Sequence, residues 1–282
     1  MIVNFSKMHG TGNDFVIIDL VTQAGALSPA CVRDLAHRHT GVGFDQLLTI
    51  EPPTNRTADF FYRIYNADGS ESGQCGNGAR CVAKFIFDKQ LSPKSELVLQ
   101  TSTGQLMTQR VSSETVRVNM GKPQLDPQAI PFQPQSGEQP PYSASFRDGS
   151  QRAFGVANLG NPHAVLLVAS TQDLDIASLA NEFRAQTRFE AGVNVGFMAL
   201  NSETAITLRV SERGAGETLA CGSGACAAVA VGRAMTLLSD TVSVEMLGGT
   251  VTVTWPGPGH DLWLSGPAVR VFDGKVKISN RS

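Results

Sequence analysis

The sequence predicts an α/β protein of the α+β type: two pseudo-symmetric domains, each a curved, mostly antiparallel sheet wrapped around one central helix. Three observations predict it. The pentapeptide Cys75-Gly76-Asn77-Gly78-Ala79 recurs as Cys221-Gly222-Ser223-Gly224-Ala225, an offset of 146 at which Glu71 also falls on Glu217. At the same offset the alternating Phe60, Tyr62 and Ile64 fall on Ile206, Leu208 and Val210, the period-2 mark of a half-buried strand in both copies. Finally, Ala225 to Gly232 is apolar on every face, and Cys81 to Phe87 nearly so, and an all-round apolar helix must be enclosed.

Taken in chain order, the first copy opens with Gly12-Asn13 and an apolar run, matched by Gly160-Asn161 and its run at an offset of 148. After each cysteine helix come two strands around a glycine turn: Leu97, Leu99, Gly104 and Leu106 fall on Val242, Val244, Gly249 and Val251 at an offset of 145. The copies end alike, at Met120-Gly121 and Ser265-Gly266. Between them, Pro123 to Pro141 holds six of the chain's 14 prolines and little apolar periodicity, which reads as a linker and surface loop with part of it available for a hairpin. Val269, Val271, Val276 and Ile278 suggest a strand tail that returns to the first domain's sheet. The expected domains are therefore residues 1–121 with 267–282, and 122–266.

Composition sets the function classes aside. The chain has 282 residues, 41% hydrophobic and 17% charged, so a sizeable core can form. The balance of 23 Lys+Arg against 25 Asp+Glu, with no basic run, argues against a nucleic-acid or anionic-membrane partner and for a small-molecule enzyme. No stretch approaches the roughly 18 to 20 apolar residues of a spanning helix, and Met1 to Lys7 lacks a signal-peptide layout, so the cytoplasm is the expected compartment. Five cysteines, an odd and sparse set without zinc-site spacing, are expected to be reduced and to hold no metal. Cys31, Cys81 and Cys226 read as small buried hydrophobes.

Cys75 and Cys221 read differently, because each precedes a helix. A thiol there sits at the positive end of the helix dipole, which lowers its pKa from about 8.5 towards neutrality and makes it a plausible base. Backbone N–H groups at the same place bind carboxylates, and glycines at 76, 78, 222 and 224 allow close approach. Two such loops related by an internal pseudo-twofold predict stereoinversion. One sulfur takes a proton from one face of a carbon and the other returns one to the opposite face, with charge stabilised at the helix termini.

The motifs in order are Met8-His9-Gly10-Thr11-Gly12-Asn13-Asp14-Phe15, Gly41-Val42-Gly43-Phe44-Asp45-Gln46, Asn66-Ala67-Asp68-Gly69-Ser70, Cys75-Gly76-Asn77-Gly78, Gly160-Asn161-Pro162-His163, Gly192 to Phe197, and Glu212-Arg213 through Gly224. Together they resemble diaminopimelate epimerase, from residue 7 to near Gly274, with Thr11 standing where that family usually has an apolar residue. The resemblance implies the diaminopimelate epimerase-like fold, a homodimer and a cofactor-independent enzyme. Its reaction would invert one α-carbon of LL-2,6-diaminopimelate to the meso form, for lysine and peptidoglycan precursors. It implies Cys75 and Cys221 as the two bases, and Gly76, Asn77, Gly222 and Ser223 holding the reacting carboxylate with Asn13 and Gln46 nearby. Asn66, Asn161, Asn194, Glu212 and Arg213 would take the distal amino-acid end, and His163 and Glu212 would tune the thiols.

Other readings stand beside this one. Gly222 to Ala227 fits a G-x-G-x-x-A dinucleotide string, but its strand ends too early and the sister copy has Cys81 at the third position. His163 by itself reads as a core histidine, and His37 and His39 as a solvated helix end. Two activated thiols would also suit a redox or disulfide-forming protein, which amino-acid turnover distinguishes. A proline-type racemase is the nearest enzymatic alternative; Asn161, Asn194 and Arg213 speak for a second charged end that proline lacks.

Overall fold

The computed structural model describes residues 1–73, 75–186 and 188–278. Contacts group the chain into two units, Met1–Asn119 with Gly266–Ser282, and Met120–Ser265.

The first unit begins with β1 (Ile2–Gly10), β2 (Asn13–Asp19), α1 (Pro29–Ala36), β3 (Gln46–Glu51), β4 (Phe60–Asn66) and β5 (Glu71–Ser72). It continues with α2 (Gly76–Asp88), β6 (Glu96–Gln100), β7 (Gln105–Arg110) and β8 (Thr115–Asn119). β1 pairs antiparallel with β2, β2 parallel with β3, and β3 antiparallel with β4. β4 takes the short β5 antiparallel and β6 parallel, and β7 and β8 follow as antiparallel neighbours. The helix α2 packs against β1, β2, β3, β7 and β8, so the sheet encloses it. Every residue of α2 from Asn77 to Phe87 is buried, Arg80 and Lys84 included. Lys84 reaches out at its tip, donating to Asp88 at 3.2 Å and to the Ser113 carbonyl at 2.8 Å. On the other side of the sheet α1, capped by the Ser28 hydroxyl, adds Val32 and Leu35 to a cluster with Val16, Ile18 and Leu47.

The second unit repeats this plan strand for strand. It comprises β9 (Tyr142–Ser145), β10 (Gln151–Asn158), β11 (Pro162–Val168), α3 (Ile176–Arg184), β12 (Asn194–Ser202), β13 (Ala205–Glu212), β14 (Gly216–Thr218), α4 (Gly222–Ala234), β15 (Thr241–Met246), β16 (Gly249–Thr254) and β17 (Trp263–Pro267). β10, β11, β12 and β13 pair in the senses of β1 to β4: antiparallel, parallel, antiparallel. β13 takes β14 antiparallel and β15 parallel, as β4 takes β5 and β6, and β16 and β17 close the order. Its central helix α4 packs against β10 to β13 and β16. Val229 and Ala225 to Ala228 are fully buried there, as the all-apolar run requires.

Each unit also gains one edge strand outside the repeat. In the first it is β18 (Val269–Lys277), antiparallel to β1; in the second it is β9, antiparallel to β10. The proline-rich segment before β9 departs from the surface loop expected for it. Gln124 and Asn158 exchange backbone hydrogen bonds at 3.0 and 2.8 Å, and Ile130 and Phe132 enter a core with Phe154, Phe183 and Phe197. Two apolar residues set among prolines carry no period, so the sequence pattern hides them, yet burying each side chain contributes roughly 2 kcal/mol.

Candidate active site

Both cysteines predicted to matter are helix N-caps. Cys75 has extended φ of −148° and its sulfur accepts from the Gly78 N–H at 3.3 Å; Cys221 has φ of −121° and accepts from the Gly224 N–H at 3.4 Å. The sulfur takes the place of the usual Ser or Asp oxygen and sits on the first turn's unpaired N–H groups. Gly76 and Gly222 are the first helical residues. Gly78 and Gly224 also leave room for the sulfur itself. A Cβ added at Gly78 would meet the Cys75 sulfur at 3.4 Å and Leu48 at 3.2 Å; one at Gly224 would meet the Cys221 sulfur at 3.2 Å and Val210 at 3.0 Å. A side chain at either position would crowd the sulfur that caps the helix.

Around Cys75, Asn13 stands at the start of β2 with its Oδ1 4.0 Å from the sulfur and 3.4 Å from Asn77 Nδ2. Tyr62, fully buried on β4, donates its hydroxyl to the Cys75 carbonyl at 3.2 Å. Gln46 and Asn66 lie directly opposite in the β3–β4 register, and Gln46 Nε2 donates to Asn66 Oδ1 at 2.9 Å. Asn66 also donates to Ser70 at 3.1 Å. The predicted residues of the first unit thus form two groups, Asn13 with Asn77 and Cys75, and Gln46 with Asn66.

In the second unit the predicted residues form one connected set. His163 is 1% exposed, and its Nε2 lies 3.0 Å from Asn161 Oδ1, 3.0 Å from Ser223 Oγ and 3.5 Å from Asn194 Nδ2. Ser223 Oγ in turn lies 3.6 Å from the Cys221 sulfur. Asn194 accepts the Arg213 backbone N–H at 2.8 Å, while the Arg213 guanidinium donates to the Ala191 carbonyl. Thr218, which the sequence reading passed over, donates to Glu212 at 2.7 Å and orients its carboxylate.

The electrostatics correct one expectation. Burial pushes the Cys221 thiol well above its ordinary value, the Glu212 charge adds to this, and the Ser223 and Gly224 donors oppose it without prevailing. A helix dipole is worth about a kcal/mol, less than desolvation of a thiolate at a 4%-exposed site, so Cys221 rests as a thiol. His163 supplies no positive charge to change this, because burial lowers it to about 3 and keeps the ring neutral. It reaches the sulfur only through Ser223. Cys31, Cys81 and Cys226 are buried, and burial raises Cys81 to about 12, as suits inert packing thiols.

No group of three or more His, Cys, Asp or Glu is placed to hold a metal ion among the described residues, and no described helix is long and apolar enough to cross a membrane.

Solved structures share this fold. A hydroxyproline epimerase from Agrobacterium vitis, with trans-4-hydroxy-L-proline bound, superposes with a TM-score of 0.70 at 14% identity, covering 98% of this chain and 92% of that one. A methylitaconate-delta-isomerase gives 0.69 at 12% identity over 99% and 96%. A phenazine biosynthesis protein of the PhzF family from Bacillus anthracis gives 0.68 at 16% identity over 99% and 100%. The fold is thus one shared with epimerases and isomerases. Within it the family is settled by sequence: the diaminopimelate epimerase model matches residues 5–125 and 155–271, and the chain belongs to that family.

Proposed function

We propose that the protein is a two-base epimerase that converts LL-2,6-diaminopimelate to meso-diaminopimelate without a cofactor. The observation that carries the reading is the pair of cysteine N-caps, one in each unit, with unlike surroundings on like backbones. In the LL to meso direction or its reverse, a thiolate takes the α-proton and becomes a thiol. The carbanion then takes a proton from the other thiol, which becomes the thiolate. Cys221, held as a thiol, suits the acid in one direction, and the reverse direction exchanges the roles. Substrate carboxylate oxygens would bind at the N–H groups of Gly76, Asn77, Gly222 and Ser223. His163 acts on Cys221 through Ser223, and Glu212 acts on it by charge.

The distal end of the substrate is assigned to Arg213, Asn161, Asn194, Glu212 and Asn66. The fork of Arg213 suits a carboxylate, which would displace its present bond to the Ala191 carbonyl. Glu212 suits an ammonium. A homodimer in the cytoplasm belongs to the same proposal. The test is incubation with LL-diaminopimelate in deuterated water: the expected product is meso-diaminopimelate carrying one α-deuterium. Turnover of proline or 4-hydroxyproline instead, with diaminopimelate unchanged, overturns the substrate assignment.

A further inference from the structure

Behind Asn13 stands a cluster of four charged side chains that the reading above leaves without a role. Asp45 Oδ2 accepts Asn13 Nδ2 at 2.9 Å and the Asp14 backbone N–H at 3.1 Å, while Asp45 Oδ1 accepts Arg38 Nη2 at 2.8 Å. Arg38 also grips the Asp14 carboxylate with both terminal nitrogens, at 3.0 and 2.8 Å. Asp14 accepts the Asp45 backbone N–H at 2.9 Å and Lys7 Nζ at 2.5 Å, and Lys7 donates further to the Gly43 carbonyl. The two acidic residues thus cross-brace the start of β2 to the start of β3, with Arg38 bridging both. Burial alone would raise the Asp14 carboxyl, but Arg38 and Lys7 outweigh it and hold the group well below the usual carboxylate range.

A side-chain amide has two orientations, and here only one is allowed. A carboxylate paired with a guanidinium can accept but not donate, so the Asn13 NH2 must face Asp45. Its carbonyl oxygen then faces the other way, towards Cys75 at 4.0 Å and Asn77 Nδ2 at 3.4 Å. We propose that Asp45, clamped by Arg38 and Asp14, is the positioning residue that presents Asn13 to the reacting cysteine as a hydrogen-bond acceptor. An acceptor beside Cys75 raises the proton affinity of its thiolate, which makes it a stronger base for the α-proton, and can receive an N–H of an α-ammonium group; the flipped amide would stabilise the thiolate, weaken it as a base and repel the ammonium. Among the described residues, the second unit lacks the matching carboxylates. Positions 14 and 45 correspond at the offset of 148 to Pro162 and Val193. The inference takes from the proposed function only that Cys75 reacts, and its test needs no substrate.

Cys75 is the half-buried thiol of the five, so its alkylation by iodoacetamide can be followed by peptide mass spectrometry as a function of pH. Among the described residues, the titratable groups coupled to it are Tyr62 from β4 and Cys81 from α2, with Arg80 beyond Cys81 and, through Asn13, the cluster itself; only the cluster is altered. In D45A the freed amide can turn its N–H towards sulfur, and the alkylation midpoint is expected to fall by about 0.7 pH unit, roughly fivefold more thiolate at fixed pH. Most of the shift should vanish when D45A is placed on N13A, since Asn13 is the contact through which Asp45 reaches Cys75. D45N keeps the size of Asp45 but can donate as well as accept, so it permits the turned amide and should shift the midpoint the same way by less, which keeps the test open if D45A does not fold. An unmoved midpoint in these variants, or a D45A shift that persists undiminished on N13A, overturns the proposal. Inactivity towards diaminopimelate would overturn the function reading and leave this result standing.

Discussion

The two cysteine caps share a backbone and differ in almost everything that touches the sulfur. Phe15 opposes Gln46 in the register where His163 opposes Asn194, so an apolar ring in one unit stands where a ring nitrogen stands in the other. Asn77 follows the first cysteine where Ser223 follows the second. Cys75 is half-buried beside a carbonyl oxygen fixed by charged neighbours, whereas Cys221 is 4% exposed and linked through Ser223 to a neutral histidine. The main-chain scaffold and the thiol chemistry are therefore separable. Strand register and glycine spacing place the sulfur, and a few polar substitutions around it decide its protonation.

Removing each sulfur should have the largest effect. C75A and C221A are each expected to lower epimerisation by at least about a thousandfold in both directions, because each direction needs one acid and one base. Near-wild-type turnover in either variant refutes paired roles. R213M comes next. It is expected to reduce kcat/KM for diaminopimelate by roughly a hundredfold, from a buried carboxylate left without its partner, with lysine negligible before and after. Equal values for lysine and diaminopimelate in the unmutated protein would place specificity elsewhere.

H163F makes the second unit resemble the first at the position of Phe15. It should cost roughly tenfold in kcat, through loss of the bond that orients Ser223. It should also move acid stability in a defined direction. The folded-state pKa of His163 is about 3, below the ordinary 6.5, so between these values the unfolded chain binds a proton that the folded one does not. Stability from this group is therefore complete above about pH 6.5 and lost as pH falls towards 3, at up to roughly 1.4 kcal/mol per pH unit. Urea midpoints at pH 7 and 5 should fall more in the wild type than in H163F; parallel falls would show that His163 is not the titrating group. The smallest effect concerns Thr11, whose counterpart at the offset of 148 is Leu159. Thr11 is 2% exposed at φ +52°, and its hydroxyl lacks a partner among the described residues. T11V should raise stability by about 1 kcal/mol, measured by urea unfolding, with turnover unchanged.

Much of the fold was legible because the chain repeats itself: matched glycines, alternating apolar triplets and two enclosed helices dictate paired topologies. What escaped reading is non-periodic. Ile130 and Phe132 pack from a proline-rich segment whose spacing follows no strand or helix, and β9 takes an edge that only the partner strand defines. At the sites, the cysteine loops announced themselves, but Asp14 and Asp45 stand inside their motifs with no role assigned from sequence, and Arg38 stands between two histidines of a helix end. Their meaning lies in which of two amide orientations they permit, a property of three-dimensional proximity. An acidic residue in each of the first two glycine-rich motifs, Asp14 beside Asn13 and Asp45 beside Gln46, was the available signal. The direction of the Cys221 shift was likewise invisible, since a helix terminus can be read from sequence and depth of burial cannot.

The strand β18 pairs along β1 from Ile2 to His9, so the first unit is assembled from two separated stretches of the chain while the second is one continuous stretch. During synthesis this imposes an order. Residues of the second unit leave the ribosome together and can complete their sheet, while the first unit waits with the outer edge of β1 open until Val269 to Lys277 emerge. An open strand edge is a template for pairing with other chains, so the interval before β18 arrives is when the nascent protein is most exposed to misassembly and to chaperone binding. The half that begins first is the half that finishes last.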